Sequence, residues 1–337
     1  MAGARLKDVA ERAGVSIKTV SNVVRGKVRV AEPTRRRVLS AIDELDYRPN
    51  ASARHLRTGR SGVIALAVPE LVQPYFSELA TAVIAAAREH DVSVLIEETG
   101  GNPASELRVA SGLSDLLIDG VLLSPQGLDQ VTLARRERRV PLVLLGERDY
   151  EVAADQVLID NVAAAREATA HLIAGGRRRI AAVGFLSDPL FTFSQQRARG
   201  YLDALEAAGL PHEPELTPLV PAFSRTAGQA AMRGLLALRE PPDAVFCFSD
   251  LLASGAVRAV YDSGRTVPRD IAVIGFDDIE ETRFSVPSLS TVAPDKRQLA
   301  RLAVEALLAR TAGDPEAPHR TLHVEHRLVA RESTARA

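Results

Sequence analysis

The stretch LKDVAERAGVSIKTVSNVV, residues 6–24, specifies the architecture of the amino-terminal part of the chain. Leu6, Val9, Ala10 and Ala13 recur at helical spacing and predict one amphipathic helix. Gly14 stops it, and Ser16 stands where a side-chain oxygen caps a second helix over residues 16–24. That helix turns Val20, Val23 and Val24 inward and leaves Ile17, Lys18, Ser21 and Asn22 outward near its N-terminal end. Two short helices around a tight turn form a helix-turn-helix, whose second helix reads base edges in the major groove. A third helix is expected after Glu32 and Pro33, with Val38, Ile42 and Leu45 on its core side.

Charge supports that reading. Residues 1–60 hold 14 Lys and Arg against 6 Asp and Glu, whereas the remaining residues hold 28 against 37. The net charge of −1 thus conceals a basic head and an acidic body. A three-helix unit also suits a protein partner, but a basic one replaces the counterions condensed on nucleic acid. An acidic body gains nothing beside phosphate.

The connector YRPNASARHLRTGR, residues 47–60, follows. Pro49 ends the third helix, Asn50 can cap, and Ala51 to Leu56 is a helix-prone stretch flanked by Arg54 and Arg57. So short a helix is unstable alone, so DNA and a second copy of the segment are what would order it. Leu56 is the apolar side chain suited to wedge open a base step in the minor groove.

From Gly62 onward, short apolar runs alternate with helical patterns. GVIALAV, VSVLIE, GVLLS, PLVLL, QVLID, RIAAVG, DAVFCF and IAVIG read as buried parallel strands. Residues 76–89, 161–174, 195–208 and 250–263 read as crossover helices. Eight strands suit two α/β halves with a cleft between them, the change of half falling near residue 160. Ligands of open α/β sheets bind beyond the carboxyl ends of the strands. The residues standing there are Gln73, Tyr75 and Phe76, then Glu147 and Arg148, Arg197, Ser249 and Asp250, and finally Phe276, Asp277 and Asp278. Aromatic faces with opposed Arg and carboxylate groups suit a polyhydroxylated ligand. Plainer readings stand beside this one. Asp160, Asn161 and Asp250 begin helices and serve as caps, Tyr75 and Phe76 pack as core, and Glu147 with Arg148 lies on a solvated surface.

Composition narrows the class further. A hydrophobic content of 46% suits a full core. The start MAGARLKDVA has no signal-peptide core, and no apolar run approaches a membrane span, so a cytoplasmic protein without membrane contact is expected. Cys247, the single cysteine, reads as a buried strand residue. His319, His323 and His326 lie in HRTLHVEHRLVA, which alternates like an edge strand, and no metal or other cofactor is expected. Phosphate-loop, dinucleotide and GxSxG patterns are absent, so no catalytic residue is assigned and an enzyme with a DNA-binding head is the remote alternative.

The run LKDVAERAGVSIKTVSNVV together with YRPNASARHLRTGR resembles the lactose-repressor and galactose-repressor (LacI/GalR) family of bacterial transcription regulators. PELVQPYFSEL, LIDNVAAAREATAHL, FSDLLASGAVRAV, VPRDIAVIGFDD, PSLSTV and RESTA resemble the same family's effector core, so the likeness spans essentially the whole chain. It implies a helix-turn-helix domain over residues 1–48, a hinge helix and linker over 49–61, and a periplasmic-binding-protein-like body over 62–337 that returns to its first half near 291. It implies that Ser16, Thr19, Ser21 and Asn50 contact the sugar-phosphate backbone, Ile17, Lys18 and Asn22 read bases, Leu56 intercalates, and Ala53 and Arg54 complete the DNA face. It also implies effector contacts by Phe76, Arg148, Arg197, Phe223 and Asp277, beside Gln73, Tyr75, Glu147 and Ser249. The expected partners are pseudopalindromic operator DNA, a sugar-like effector that releases it, and a second copy of the chain. A dimer is expected because no leucine heptad follows Arg331-Glu332-Ser333-Thr334. The alternative is a corepressor-dependent regulator with a nucleoside or other small-molecule effector.

The family commonly has arginine at the position of Asn22, and asparagine at those of Gln73 and Ser249, while Gly146-Glu147 replaces a pattern offering aspartate. Arginine reads guanine with two hydrogen bonds and asparagine suits adenine. Asn22→Arg is therefore expected to select a different half-site from a randomised DNA pool. The same half-site recovered by both proteins would refute the base contact.

Overall fold

The computed structural model describes residues 4–25, 30–47, 60–113, 117–136, 140–146, 150–186, 192–313 and 317–335. By its internal contacts the chain divides into two units, Met1–Ser61 and Gly62–Ala337.

In the first unit, α1 (Leu6–Ala13), α2 (Ile17–Arg25) and α3 (Glu32–Glu44) pack around Val9, Ala10, Ala13, Val20, Val23, Val38 and Tyr47. Gly14 ends α1 at φ 64°, a left-handed conformation that glycine takes without a Cβ penalty. The Ser16 Oγ accepts the Thr19 N–H at 3.1 Å and so caps α2. Val9, Val20 and Val38 are fully buried, each contributing about 1.5–3 kcal/mol. An ion pair of Arg12 with Glu44 ties α1 to α3.

The second unit contains two sheets. The first half runs β1 (Val63–Val68), α4 (Pro74–Arg88), β2 (Ser93–Glu98), α5 (Pro103–Ala110), β3 (Val121–Leu123), α6 (Gln130–Ala134), β4 (Leu142–Gly146) and β5 (Asp155–Ile159). The second half runs α7 (Asn161–Ala174), β6 (Ile180–Val183), α8 (Thr192–Ala207), α9 (Arg225–Leu236), β7 (Ala244–Cys247), α10 (Asp250–Asp262), β8 (Ala272–Phe276), α11 (Glu281–Phe284) and β9 (Ser290–Pro294). Then α12 (Lys296–Ala312) packs back on the first half, β10 (Thr321–Val324) joins its sheet, and β11 (His326–Val329) joins the other. Strand orders are β10-β5-β4-β3-β1-β2 and β11-β9-β8-β7-β6.

The eight runs read as parallel strands all form such strands, with three departures around them. VSVLIE, read as buried, is an edge strand: β2 pairs only with β1, and its ends are exposed. HRTLHVEHRLVA is two strands rather than one, β10 parallel to β5 and β11 antiparallel to β9. Alternation has the same period on either sheet, so it does not show that the chain changes sheets at Glu325. The return from the second half falls at Asp295, past the position near 291 read from the sequence. The two later crossings lie side by side: Asp295 N–H donates to Glu325 O at 2.9 Å, and Glu325 N–H to Gln298 Oε1 at 2.8 Å. Cys247 is fully buried in β7, where burial and the nearby charge of Asp250 push its thiol far above the ordinary range.

Asp155, fully buried at the start of β5, fastens β10 and α12 to this sheet. Arg310 donates to it twice, at 2.8 and 3.0 Å, and the Arg320 N–H once at 2.8 Å. Burial alone would raise the Asp155 pKa, but these hydrogen bonds and the charges of Arg310 and Arg320 outweigh it and hold the carboxyl below its usual range. A depressed folded pKa adds stability that is complete above the ordinary carboxylate range and is lost as pH falls through the folded value. Arg310→Ala leaves a buried carboxylate short of its partner, and should cost about 3–5 kcal/mol at pH 7. Urea titrations should show that difference shrinking as Asp155 protonates in acid; an equal loss at pH 7 and pH 3 would argue for lost packing instead.

Candidate functional site

A cavity of about 300 Å³ lies between the two halves of the body. The first half contributes residues beyond the ends of β1, β2 and β3: Gln73, Tyr75 and Phe76, then Gly100 and Gly101, then Gln126. The second half contributes Phe193, Arg197, Phe223, Ser249 and Asp277. Parallel strands put their carboxyl ends on one edge of each sheet, and the two edges face the cavity.

Each half supplies an edge-to-face aromatic pair. Tyr75 and Phe76 stand 5.2 Å apart at 76°, and Phe193 and Phe223 stand 5.2 Å apart at 87°. Phe76 is also part of the core, so the packing reading and the cavity reading both hold for it.

Arg197, only 2% exposed, is built into the wall. Its Nε donates to Asn161 Oδ1 at 2.8 Å and its Nη1 to the carbonyl of Phe248. The guanidinium also sits 3.5 Å from the ring centre of Phe276, close enough for a cation–π contact. Asn161 is therefore a buried partner of the arginine rather than the cap of α7; Asp160 caps that helix by accepting the Ala163 N–H at 2.9 Å. At α10, Ser249 is the cap, accepting the Leu252 N–H at 3.2 Å while it lines the cavity. Asp250, read as a cap, is instead an interior acid that accepts from Thr291 at 2.7 Å and from the Ile279 N–H at 3.0 Å. Burial, then the negative charge of Asp277, drives its pKa upward. Gly275 makes room for it, since a Cβ there would lie 2.1 Å from Asp250 Oδ1.

The paired acids of GFDD part company. Asp277 holds φ at 116°, uncommon for a residue with a Cβ, and its N–H is pinned to Val292 O at 2.8 Å. It lines the cavity, whereas Asp278 turns into an ion pair with Arg331 and another with Arg283 at 3.3 Å. Burial would raise the Asp278 pKa, but the hydrogen bond and charge of Arg331 together with Arg283 keep it below the usual range. Ser333 closes the same region, accepting the Ser290 N–H at 2.8 Å.

Of the residues expected to contact an effector, Gln73, Tyr75, Phe76, Arg197, Phe223, Ser249 and Asp277 line this one cavity. Glu147 and Arg148 lie outside the described residues. Gly100, Gly101 and Gln126 join the lining unforeseen, although they obey the strand-end rule for VSVLIE and GVLLS. The Gln126 loop depends on Glu106, fully buried, whose carboxylate accepts N–H groups of Gln126 at 2.8 Å, Gly127 at 3.1 Å and Leu128 at 2.8 Å. Burial raises the Glu106 pKa, and the three N–H donors only partly oppose it.

On the head, Ile17 is half exposed and Lys18 exposed at the start of α2, with Ser21 and Asn22 partly exposed behind them. The hydroxyls of Ser16 and Thr19 stand 2.9 Å apart. One hydroxyl proton serves that contact, and the other is not used by it. Asn50, Ala53, Arg54 and Leu56 lie outside the described residues. The described residues contain no group of acids, histidines or cysteine suited to hold a metal ion, and no helix long and apolar enough to cross a membrane.

Residues 5–50 match the family model for bacterial regulatory proteins of the lacI family, and residues 169–334 match that of a periplasmic binding protein-like domain. The ribose operon repressor of Haemophilus influenzae is 33% identical over 98% of both chains. A complex of the transcriptional regulator CelR with cellobiose is 32% identical, covers 98% of this chain and 99% of its own, and superposes with a TM-score of 0.72. The lac repressor dimer bound to operator and the anti-inducer ONPF is 27% identical over 99% of both chains, with a TM-score of 0.83.

An amide at position 106 presents a donor where a carboxylate oxygen now accepts, which strands at least one buried N–H. Glu106→Gln should therefore destabilise the body by about 1–3 kcal/mol. At roughly 2–4 °C per kcal/mol for a domain of this size, a melting curve resolves the loss. An unchanged midpoint would show that the loop does not depend on the carboxylate.

Proposed function

Because the chain belongs to the lacI family of bacterial regulatory proteins, we propose that it is a cytoplasmic repressor of genes for carbohydrate uptake or breakdown. It binds a two-fold operator as a homodimer, and a neutral sugar-type effector in the cavity releases it. The observation that carries the effector class is the lining itself. Two aromatic pairs offer faces and edges to the C–H surfaces of a sugar ring, while Gln73, Gln126, Ser249 and Asp277 offer hydrogen-bonding groups around it. A phosphorylated ligand fits less well. Among the described lining residues the acids are Glu70 and Asp277, and the one cation, Arg197, already bonds to Asn161 and Phe248.

The DNA contact is assigned to α2. Ile17, Lys18 and Asn22 read bases, Ser16, Thr19 and Ser21 meet the backbone, and the segment with Asn50, Ala53, Arg54 and Leu56 enters the minor groove. The body works by binding alone and carries no catalytic step. An effector that prefers one spacing of the two halves shifts the equilibrium of the whole dimer, with a coupling of about 1–3 kcal/mol, or roughly 5- to 150-fold in operator affinity.

A thermal-shift screen of sugars, sugar phosphates and nucleosides tests the reading, because a ligand that binds only the folded body raises its melting temperature. A neutral sugar should do so. Asp277→Asn and Arg197→Lys should remove that shift and the loss of operator binding it causes, while both variants still hold the operator selected by the wild type. A phosphorylated ligand, or a full response in both variants, would refute the assignment.

A further inference from the structure

Glu78 lies on α4 in the first half and is two-thirds buried. Its Oε1 accepts the N–H of Glu280, which belongs to the second half, at 2.8 Å. Its Oε2 pairs with the ammonium of Lys296, the first residue of α12, where the chain has just crossed back from β9. Lys296 in turn donates to the carbonyl of Asp278 at 3.2 Å, again in the second half, and its side chain is only 12% exposed.

One carboxylate and one ammonium thus bind both halves at once, next to a crossing. They differ from an exposed pair such as Lys7 with Glu11, whose side chains are 72% and 67% exposed and which solvent screens strongly. Partly buried charges attract more strongly, and separating the halves would strip each of its backbone partner in the second half, Glu280 N–H for the carboxylate and Asp278 O for the ammonium. The pair is also wired to the cavity. Lys296 Nζ lies 5.6 Å from the ring centre of Tyr75, and Tyr75 stands three residues before Glu78 on the same helix and lines the cavity. On the other side, the carbonyl that Lys296 grips belongs to Asp278, the neighbour of the cavity residue Asp277.

We propose that Glu78 and Lys296 form the latch that sets the spacing of the two halves, and that through Tyr75 and the Asp277-Asp278 segment a ligand in the cavity acts on this latch. They are positioning residues: neither lines the cavity, and both act through residues that do. The second clause rests on the reading of the cavity as the effector site; the first does not.

The spacing can be measured without any effector. Val131 in the first half and Leu219 in the second are exposed and are not among the cavity-lining residues, and Cys247 is buried, so Val131→Cys with Leu219→Cys accepts a pair of spin labels in the full-length chain. Labelled chain diluted into unlabelled chain gives distances within one protomer. The unmodified latch should give one narrow distance distribution. Glu78→Gln and Lys296→Met should each shift or split it, and the double variant should do so at least as far as the larger single effect, because each side chain also holds its own backbone partner in the second half. A melting curve of each variant confirms that the fold survives; a variant that does not fold is replaced by Glu78→Asp, whose shorter side chain should also shift the distribution. Unchanged distributions in the folded variants overturn the latch, whatever the ligand screen yields. A latch that shifts the spacing while no tested ligand binds leaves the first clause standing and removes the second.

Discussion

A guanidinium taken out of water must be met on every side, and Arg197 is the place where the body answers that constraint. Burial of a charge costs several kcal/mol unless hydrogen bonds and good geometry offset it. Here the offset comes from Asn161 at the start of α7, the carbonyl of Phe248 after β7 and the ring of Phe276 at the end of β8. These are three separate segments of the second half, one of them next to the first crossing between halves. Fixing the arginine therefore fixes the wall of the cavity and the entry of the chain into the second half together.

The same logic recurs around the cavity with the sign reversed. Asp250, Asp278 and Glu106 are buried acids, and each is met by a different device: a hydroxyl and a backbone N–H, two arginines, and a row of three N–H groups. Every one supports a residue or loop that lines the cavity. Fully satisfied polar networks of this kind rigidify their surroundings. The cavity walls are consequently braced within each half, and among the described residues the side chains of Glu78 and Lys296 reach from one half to the other. The head follows a simpler rule, since its helices pack chiefly on a few valines and alanines and leave the start of α2 exposed.

Periodicity and strand-end position made much of this legible in advance. The three helices of the head, eight strands and the principal crossover helices follow from apolar spacing together with run length and flanking turn residues. Seven of the residues expected to meet an effector gather at one cavity because parallel strands deliver their carboxyl ends to one edge. The errors have physical causes as well. A residue at a helix start looks like a cap whether or not it points inward, so Asn161 and Asp250 were indistinguishable from Asp160. Alternation identified strand character in HRTLHVEHRLVA, yet says nothing about which sheet accepts it.

Local spacing and composition are enough to set the classes of element, the basic head, the acidic body and the kinds of side chain at each strand end. Which of two adjacent acids faces the cavity, which buried charge is met by which partner, and where the chain changes sheets are set by packing in three dimensions. Those outcomes depend on backbone conformation and on neighbours from distant segments, as when Asp277 turns to a positive φ and Asp278 meets Arg331 near the end of the chain. A carboxylate acquires its role from what stands opposite it, and that is settled when the halves fold.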